Sequence, residues 1–503
     1  MNIQCLLLCG NDTLPGILRN AGPARLATEL RNSGFETICV DIGSLTKKHI
    51  TTIDRIINKF VGKDTLWMGI STTFLTQVFG VKIPRIGDHV DVIDPVDDSL
   101  LTHVIDLCKQ RNPNIKFIIG GGYFFNLSKY GFYHFKGYAD YELVEFTKWC
   151  RESSYKLNIN RVGKVIECNE YSNFVNSNIR WHESDFISPN ETLPIEISRG
   201  CIFRCKFCAF PLNGKSKGEW IKNFDILKDE FIYNYEKFGV TNYIFADDTY
   251  NDSRDKILNL YEHVFSKLPF DMNFSSYIRL DLMHRFKETA EILKLSGLKS
   301  AILGIETNNN NSAKAIGKGL NFEKQIEYLR DLNKHEFADT LVTSGFILGL
   351  PHDTKESIHQ LENFLLSDNN PLDDWLVKPL GLNPIKNSQH KKYFSEFDLD
   401  HEKYGYELVG TDEHADLYRM KWRLKGTDVD YDYCNSVANR INSISRNTRQ
   451  NFKYGAQEYA RMCTVIPRDD VINLSRYQIQ EKYDVHILVK EHLINYYNKL
   501  LSY

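Results

Sequence analysis

Short apolar runs alternate with helix-period segments twice along this chain, and that alternation constrains its fold more than any other feature. In the first series, "IQCLLLC" (3–9), "FETICVDI" (35–42), "TLWMGIS" (65–71) and "IKFIIGGG" (115–122) are continuously apolar. Strands with one wet face alternate apolar and polar residues, whereas parallel strands covered on both faces read as unbroken runs. Between the first two runs, Ala24, Leu26, Ala27 and Leu30 recur at helical spacing ahead of Gly34, a stop signal. This is a βαβ pattern. Residues 80–98 break the period and read as a loop or insertion.

The pattern predicts an open, doubly wound α/β sheet of the Rossmann-like (flavodoxin-like) kind over residues 1–150. Residues 151–190 are polar and read as a connector with one or two short strands. A second series then offers strands at 194–200, 241–248, 271–279, 299–306, 341–351 and 374–382, separated by helical patterns near 218–237, 253–267, 281–296, 322–334 and 354–367. Six strand–helix repeats predict a partial (β/α)6 TIM-type barrel over residues 191–390, with functional side chains at the carboxyl ends of its strands. From about residue 400 the strand signal fades, so 391–503 reads as a mainly helical region. A length of 503 residues independently suggests about three domains.

Lys+Arg 62 against Asp+Glu 65 leaves a net charge of -3, so no global field draws the chain to nucleic acid or an anionic bilayer. The basic stretch 378–393 reads as a solvated loop, with contact to RNA or a phosphate-bearing substrate as the other reading. No run of about 18 apolar residues is present, and the apolar stretch in MNIQCLLLCGND is too short for a signal-peptide core. Eleven cysteines are about 2% of the chain, against roughly 8–10% in a disulfide scaffold. These features lead us to expect a soluble protein of the reducing cytoplasm, without membrane attachment.

Five of the cysteines, Cys5, Cys9, Cys39, Cys108 and Cys150, read as small core residues, and Cys168, Cys434 and Cys463 have no metal-ligand spacing. The remaining three fall in "RGCIFRCKFCAF" at the end of the first barrel strand. Three readings of Cys201, Cys205 and Cys208 compete. Structural zinc needs a fourth ligand, and the nearest histidines, His182 and His263, are distant in sequence. Buried structural thiols sit badly with the interleaved Arg204 and Lys206. A 4Fe-4S cluster uses three thiolates and leaves one iron open to a ligand.

The C-x3-C-x2-C spacing, with Phe207 just before the last cysteine, resembles the motif of the radical S-adenosylmethionine superfamily. The resemblance continues at successive strand ends over about 190–385. "FADDTYND" (245–252) stands where the family contacts the methionine amino group, with Ala246-Asp247-Asp248 in place of two glycines and a glutamate; capping of the next helix is the other use for Asp247 and Asp248. "SSYIRLD" (275–281) is similar to the segment near the cofactor ribose and carboxylate, which implies Ser275 or Ser276 and Arg279, although an Arg here also suits a structural ion pair. "LGIETNNNNSAKAIGKGL" (303–320) implies Glu306 as a cofactor hydrogen-bonding group and a Lys318-Gly319 turn. "GFILGLP" (345–351) implies close backbone approach to the adenine at Gly349.

An open α/β domain ahead of such a barrel resembles the cobalamin-binding class of this superfamily. On that resemblance Gly120, Gly121 and Gly122 let the backbone approach a large cofactor; an ordinary glycine-rich turn is the other reading. Two family features are missing: no D-x-H-x-x-G motif occurs in "GNDTLPGILRNAG", and "KGYADYELVEF" (136–146) does not reproduce the acidic G-E-G-E turn. A domain that docks a substrate or partner therefore stands beside cobalamin.

The resemblance implies an enzyme that cleaves S-adenosylmethionine reductively to a 5′-deoxyadenosyl radical, with cobalamin-dependent methyl transfer to a small-molecule or peptide substrate. It also implies an electron donor such as flavodoxin or ferredoxin, and a C-terminal region covering the substrate opening. The alternatives are a cobalamin-independent radical enzyme for sulfur insertion or rearrangement, and a non-catalytic iron–sulfur or zinc redox or interaction module.

Overall fold

The computed structural model describes residues 2–10, 18–45, 47–73, 83–84, 98–121, 130–152, 154–168, 174–210, 212–383, 394–412, 417–447 and 452–503. In its N-terminal part, strands β1 (Cys5–Cys9), β2 (Thr37–Asp41), β3 (Trp67–Ser71), β4 (Ile83–Pro84), β5 (Lys116–Gly120), β6 (Tyr133–Lys136), β7 (Arg161–Val162) and β8 (Val165–Glu167) follow one another. All but β4 join one sheet in the order β2-β1-β3-β5-β6-β8-β7. Only β7 runs antiparallel. Every residue of β1 is buried, the physical reason its sequence does not alternate. Strand order reverses between β1 and β3, so the crevice at the carboxyl ends there is the ligand position such sheets favour. Strand β6 and the β7–β8 ribbon extend the sheet beyond the four apolar runs.

The second sheet contains β9 (Thr192–Ile195), β10 (Asn242–Phe245), β11 (Asn273–Ile278), β12 (Leu298–Glu306), β13 (Leu341–Leu348) and β14 (Asp374–Pro379), in the order β14-β13-β12-β11-β10-β9. All neighbours are parallel. Strands β9 and β14 do not pair, so the barrel is open. At β14, the Asn442 side chain accepts from Val377 N at 3.1 Å and donates to Val377 O at 2.8 Å, taking the place of a further strand. Strand β9 ends at Ile195, earlier than expected, because Ile197 N donates to the Asp247 carboxylate (3.1 Å) and Arg199 N to Trp220 O (3.0 Å).

Alternate residues of β13 point to different cores. Val342, Phe346 and Leu348 pack with Leu329 and Leu361 of the connecting helices, while Leu341 packs with Tyr454, Tyr459 and Met462. The helix Ala456–Met462 thus fills the opposite face of the sheet, anchored near the start of the strands by Ala456 N donating to Thr343 Oγ1 at 3.0 Å. The last helix, Val485–Ser502, instead buries Tyr496, Tyr497 and Leu500 in the N-terminal core. Helices dominate the C-terminal region as expected, but β15 (Tyr406–Asp412) and β16 (Leu417–Leu424) interrupt it as an antiparallel hairpin, with β4 beside β16. The region therefore fills the barrel interior and ties the two sheets together rather than only covering the mouth. Among the described residues, no helix is long and apolar enough to cross a membrane.

Candidate active site

The three cysteines occupy the loop that leaves β9, and Gly200 makes that loop possible. Its φ is +72°, and a Cβ there would lie 2.2 Å from Leu212 Cβ. Cys201 N donates to Leu212 O (3.3 Å), Gly214 N to Cys201 O (2.7 Å) and Cys208 N to Cys205 O (3.0 Å), closing the loop on its own backbone. Outside contacts hold its middle, with Lys206 N donating to Ile316 O (3.3 Å) and Phe397 N to Lys206 O (3.1 Å). Cys201 is buried, and Cys205 and Cys208 are half-buried. Burial pushes the Cys201 and Cys208 thiols up, a penalty that bound metal offsets by stabilising thiolate. Among the described residues, no three His, Cys, Asp or Glu side chains gather to hold a single metal ion. Phe207 packs partly buried against the main core.

The paired aspartates after β10 have different surroundings. Asp247 is buried and accepts from Ile197 N, from Ser198 Oγ and from Lys256 Nζ (3.3 Å). Lys256 also meets Asp252 at 3.2 Å, and Lys215 lies 3.8 Å from Asp252 while donating to Arg199 O at 2.8 Å. Asp248 is half-buried beside the cysteine loop, where it accepts from the Gly200 N–H. Burial and the adjoining Asp247 lift its carboxyl to about 6. Neither aspartate caps the next helix, because Ser253 does so through its hydroxyl.

The other expected contacts are partly redirected inside the chain. Ser275 and Ser276 are fully buried with unpartnered hydroxyls, whereas Tyr277 is 42% exposed on the face opposite the connecting helices. Arg279 binds Asp281 through two bonds, Nε to Oδ1 at 3.0 Å and Nη2 to Oδ2 at 2.6 Å. Glu306 sits at φ 69° and pairs with Lys318 at 3.3 Å. The Lys318 turn follows a helix, Asn310–Ile316, absent from the sequence reading. At Gly349, φ is +84° and a Cβ would lie 1.9 Å from the Trp422 indole. The space a side chain would need at this glycine is thus filled by Trp422.

Gly120 lies at the carboxyl end of β5. A Cβ on Gly121, with φ +122°, would come within 2.8 Å of Thr73 N and 2.9 Å of Thr72 N. That packing explains Gly121 within the chain; Gly122 lies outside the described residues. Sequence reasoning missed the junction between the domains, where Arg25 reaches Glu196 at 2.9 Å. Arg199 binds Glu196 at 3.2 Å and is stacked between Tyr138 (3.9 Å) and Phe174 (4.3 Å). Its signal was present in "EISRG", two charges in an otherwise apolar run. A cavity of about 780 Å³ lies by Asn223 and His263, and another of about 450 Å³ by Phe186 and Tyr503, both away from the cysteine loop.

Comparison with known proteins decides what kind of domain the second sheet belongs to. Residues 195–365 match the Radical SAM superfamily model. This part of the chain is a radical SAM domain. The chain is 26% identical over 183 residues to the bacteriochlorophyllide d C-12(1)-methyltransferase of Chlorobaculum tepidum, covering 36% of this chain and 38% of that one. An uncharacterized methyltransferase of Pyrococcus horikoshii is 24% identical over 169 residues, 33% of this chain and 35% of that one. The chain thus spans little more than a third of these curated relatives. The whole fold is similar to that of the radical S-adenosylmethionine methyltransferase TsrM from Kitasatospora setae, solved with cobalamin and a 4Fe-4S cluster bound. The TM-score is 0.65 at 13% identity, covering 97% of this chain and 99% of that one.

Proposed function

We propose that this chain is a radical S-adenosylmethionine enzyme in which Cys201, Cys205 and Cys208 hold a 4Fe-4S cluster. We further propose that residues 1–150 bind cobalamin, residues 151–190 connect, residues 191–390 are the radical SAM core and residues 391–503 complete the interior. The reaction is then cobalamin-dependent methyl transfer to a small-molecule or peptide substrate. The observation that carries this reading is the three-cysteine loop at the carboxyl end of the first strand of a radical SAM domain.

The donor set fits the cluster: three soft thiol ligands on a loop whose backbone is closed by its own hydrogen bonds. When bound, the cluster supplies the electron that cleaves the sulfonium of S-adenosylmethionine and yields the 5′-deoxyadenosyl radical. Gly200 and Leu212 fix the loop's entry, and the Lys256–Asp247 pair fixes the chain beneath it. Asp248, half-buried beside Cys208, suits an ammonium group of the bound cofactor. For cobalamin, Asn20 Nδ2 and Arg199 Nη1 at the domain junction are buried donors without a partner, which suits the amide rim of a corrin. The Gly121 packing favours the second reading, a radical enzyme without cobalamin, because it explains that glycine by the fold alone.

Anaerobic reconstitution with iron and sulfide, then reduction, should release 5′-deoxyadenosine from S-adenosylmethionine. Release that survives Ala at all three cysteines would refute the cluster. Hydroxocobalamin uptake separates the two enzymatic readings; its absence would sink the methyltransferase alone. Flavodoxin or ferredoxin as electron donor, and a cytoplasmic setting, belong to the same proposal.

A further inference from the structure

We infer that Arg279 is a positioning residue for the iron–sulfur cluster, acting on the Cys205 sulfur to favour the reduced state. The inference rests on the reading of Cys205 as a cluster ligand. It starts from the way the guanidinium is held. Asp281 takes Nε and Nη2 in a two-bond fork, at 3.0 and 2.6 Å. That fork is one of the two edges an arginine offers a carboxylate, the other being the Nη1–Nη2 end. The remaining Nη1 lies 3.8 Å from Cys205 Sγ. Phe203 covers the flat face, with its ring centroid 3.8 Å from the guanidinium carbon. The residue is only 6% exposed.

These contacts leave the guanidinium little freedom and shield it from water, so its charge acts on the sulfur through a poorly screening medium. Reducing the cluster adds one electron and no proton, and the added charge spreads onto the ligand sulfurs. A fixed cation with an N–H directed at one of those sulfurs stabilises the reduced form over the oxidised form, which raises the potential. Asp281 holds the guanidinium in place and balances part of its charge, so the group tolerates burial even before the cluster is bound.

The test uses the full chain, reconstituted anaerobically as wild type, Arg279→Gln and Arg279→Lys. Iron and sulfide per chain are measured, the reduced cluster is followed by EPR at stepped potentials with dithionite supplying the electron, and S-adenosylmethionine binding is measured by calorimetry on the oxidised protein. In Arg279→Gln, the ratio of oxidised to reduced cluster at a fixed potential should rise about tenfold, equivalent to about 59 mV for one electron. Arg279→Lys, which keeps the charge, should fall between the two, and S-adenosylmethionine affinity should change little. Equal iron content with an unchanged potential in Arg279→Gln would overturn the inference. If that variant does not fold, Arg279→Lys decides the matter: wild-type potential with weakened S-adenosylmethionine binding would make Arg279 a carboxylate ligand. A wild-type protein that takes up no cluster would instead refute the underlying reading.

Discussion

Lys256 Nζ lies 3.3 Å from Asp247 Oδ1 beneath the cysteine loop, with both side chains almost wholly withdrawn from solvent. Removing one partner leaves an uncompensated buried charge, a loss of about 3–5 kcal/mol. Lys256→Met should therefore lower the urea midpoint of the barrel and reduce iron uptake, because Ser198 and Asp247 lose a shared donor just before Cys201. Lys256→Met combined with Asp247→Asn should recover part of the loss, as residues in one network do not add independently.

Gly200→Ala should act more locally. Its backbone sits at φ +72° against Leu212, so a methyl group forces the cysteine loop away from its closing bonds. Iron bound per chain should fall sharply while the far-ultraviolet circular dichroism stays near wild type. Full cluster loading in Gly200→Ala would show that the loop is not shaped by this contact.

Gly349→Ala should instead damage the contact between barrel and hairpin, since the added Cβ would meet Trp422 at 1.9 Å. Overpacking of this kind costs roughly 1–3 kcal/mol, with backbone strain in addition. The thermal midpoint should drop, and tryptophan fluorescence should report a displaced indole. Adding Trp422→Ala should return part of the stability by making room.

Asp353 gives a pH signature of defined sign. Burial lifts its carboxyl to about 6, although it accepts from Gly349 N (2.9 Å), Leu350 N (3.0 Å) and Ser312 Oγ (2.9 Å). A carboxyl whose folded value lies above its unfolded value, near 4, holds more protons folded than unfolded in that interval. Its contribution to stability thus falls as pH rises from about 4 to about 6, by on the order of 3 kcal/mol, and is level above. The stability of wild type minus that of Asp353→Asn, from urea midpoints across this range, should decline in the same window. A flat difference would contradict the raised value.

Local pattern carried much of the fold. Unbroken apolar runs located β1, β2, β3 and β5, and helical spacing located Ala21–Asn32 and Phe322–Lys334 close to their ends. Strand β6 was missed because Tyr133-His134-Phe135-Lys136 is too short and mixed to stand out, and it is a strand through its pairing with β5 and β8. The β15–β16 hairpin was missed for a related reason: Tyr406 and Trp422 gain their burial from Gly349 and the end of β13, which no local window contains.

What the sequence alone determined is the spacing of the three loop cysteines and the two α/β series, because thiol spacing and hydrophobic period are properties of neighbouring residues. Which polar groups are left to meet a ligand was decided by tertiary structure. Asp247 and Asp248 are adjacent in sequence, yet Lys256 claims the first and leaves the second beside the loop. Arg279 meets Phe203 as well as the nearby Asp281, and the space beside Gly349 is filled by Trp422; no local window of the sequence contains the Phe203 or Trp422 contact. A side chain's partner depends on the direction in which the packed backbone aims it, and residues distant in the chain set that direction.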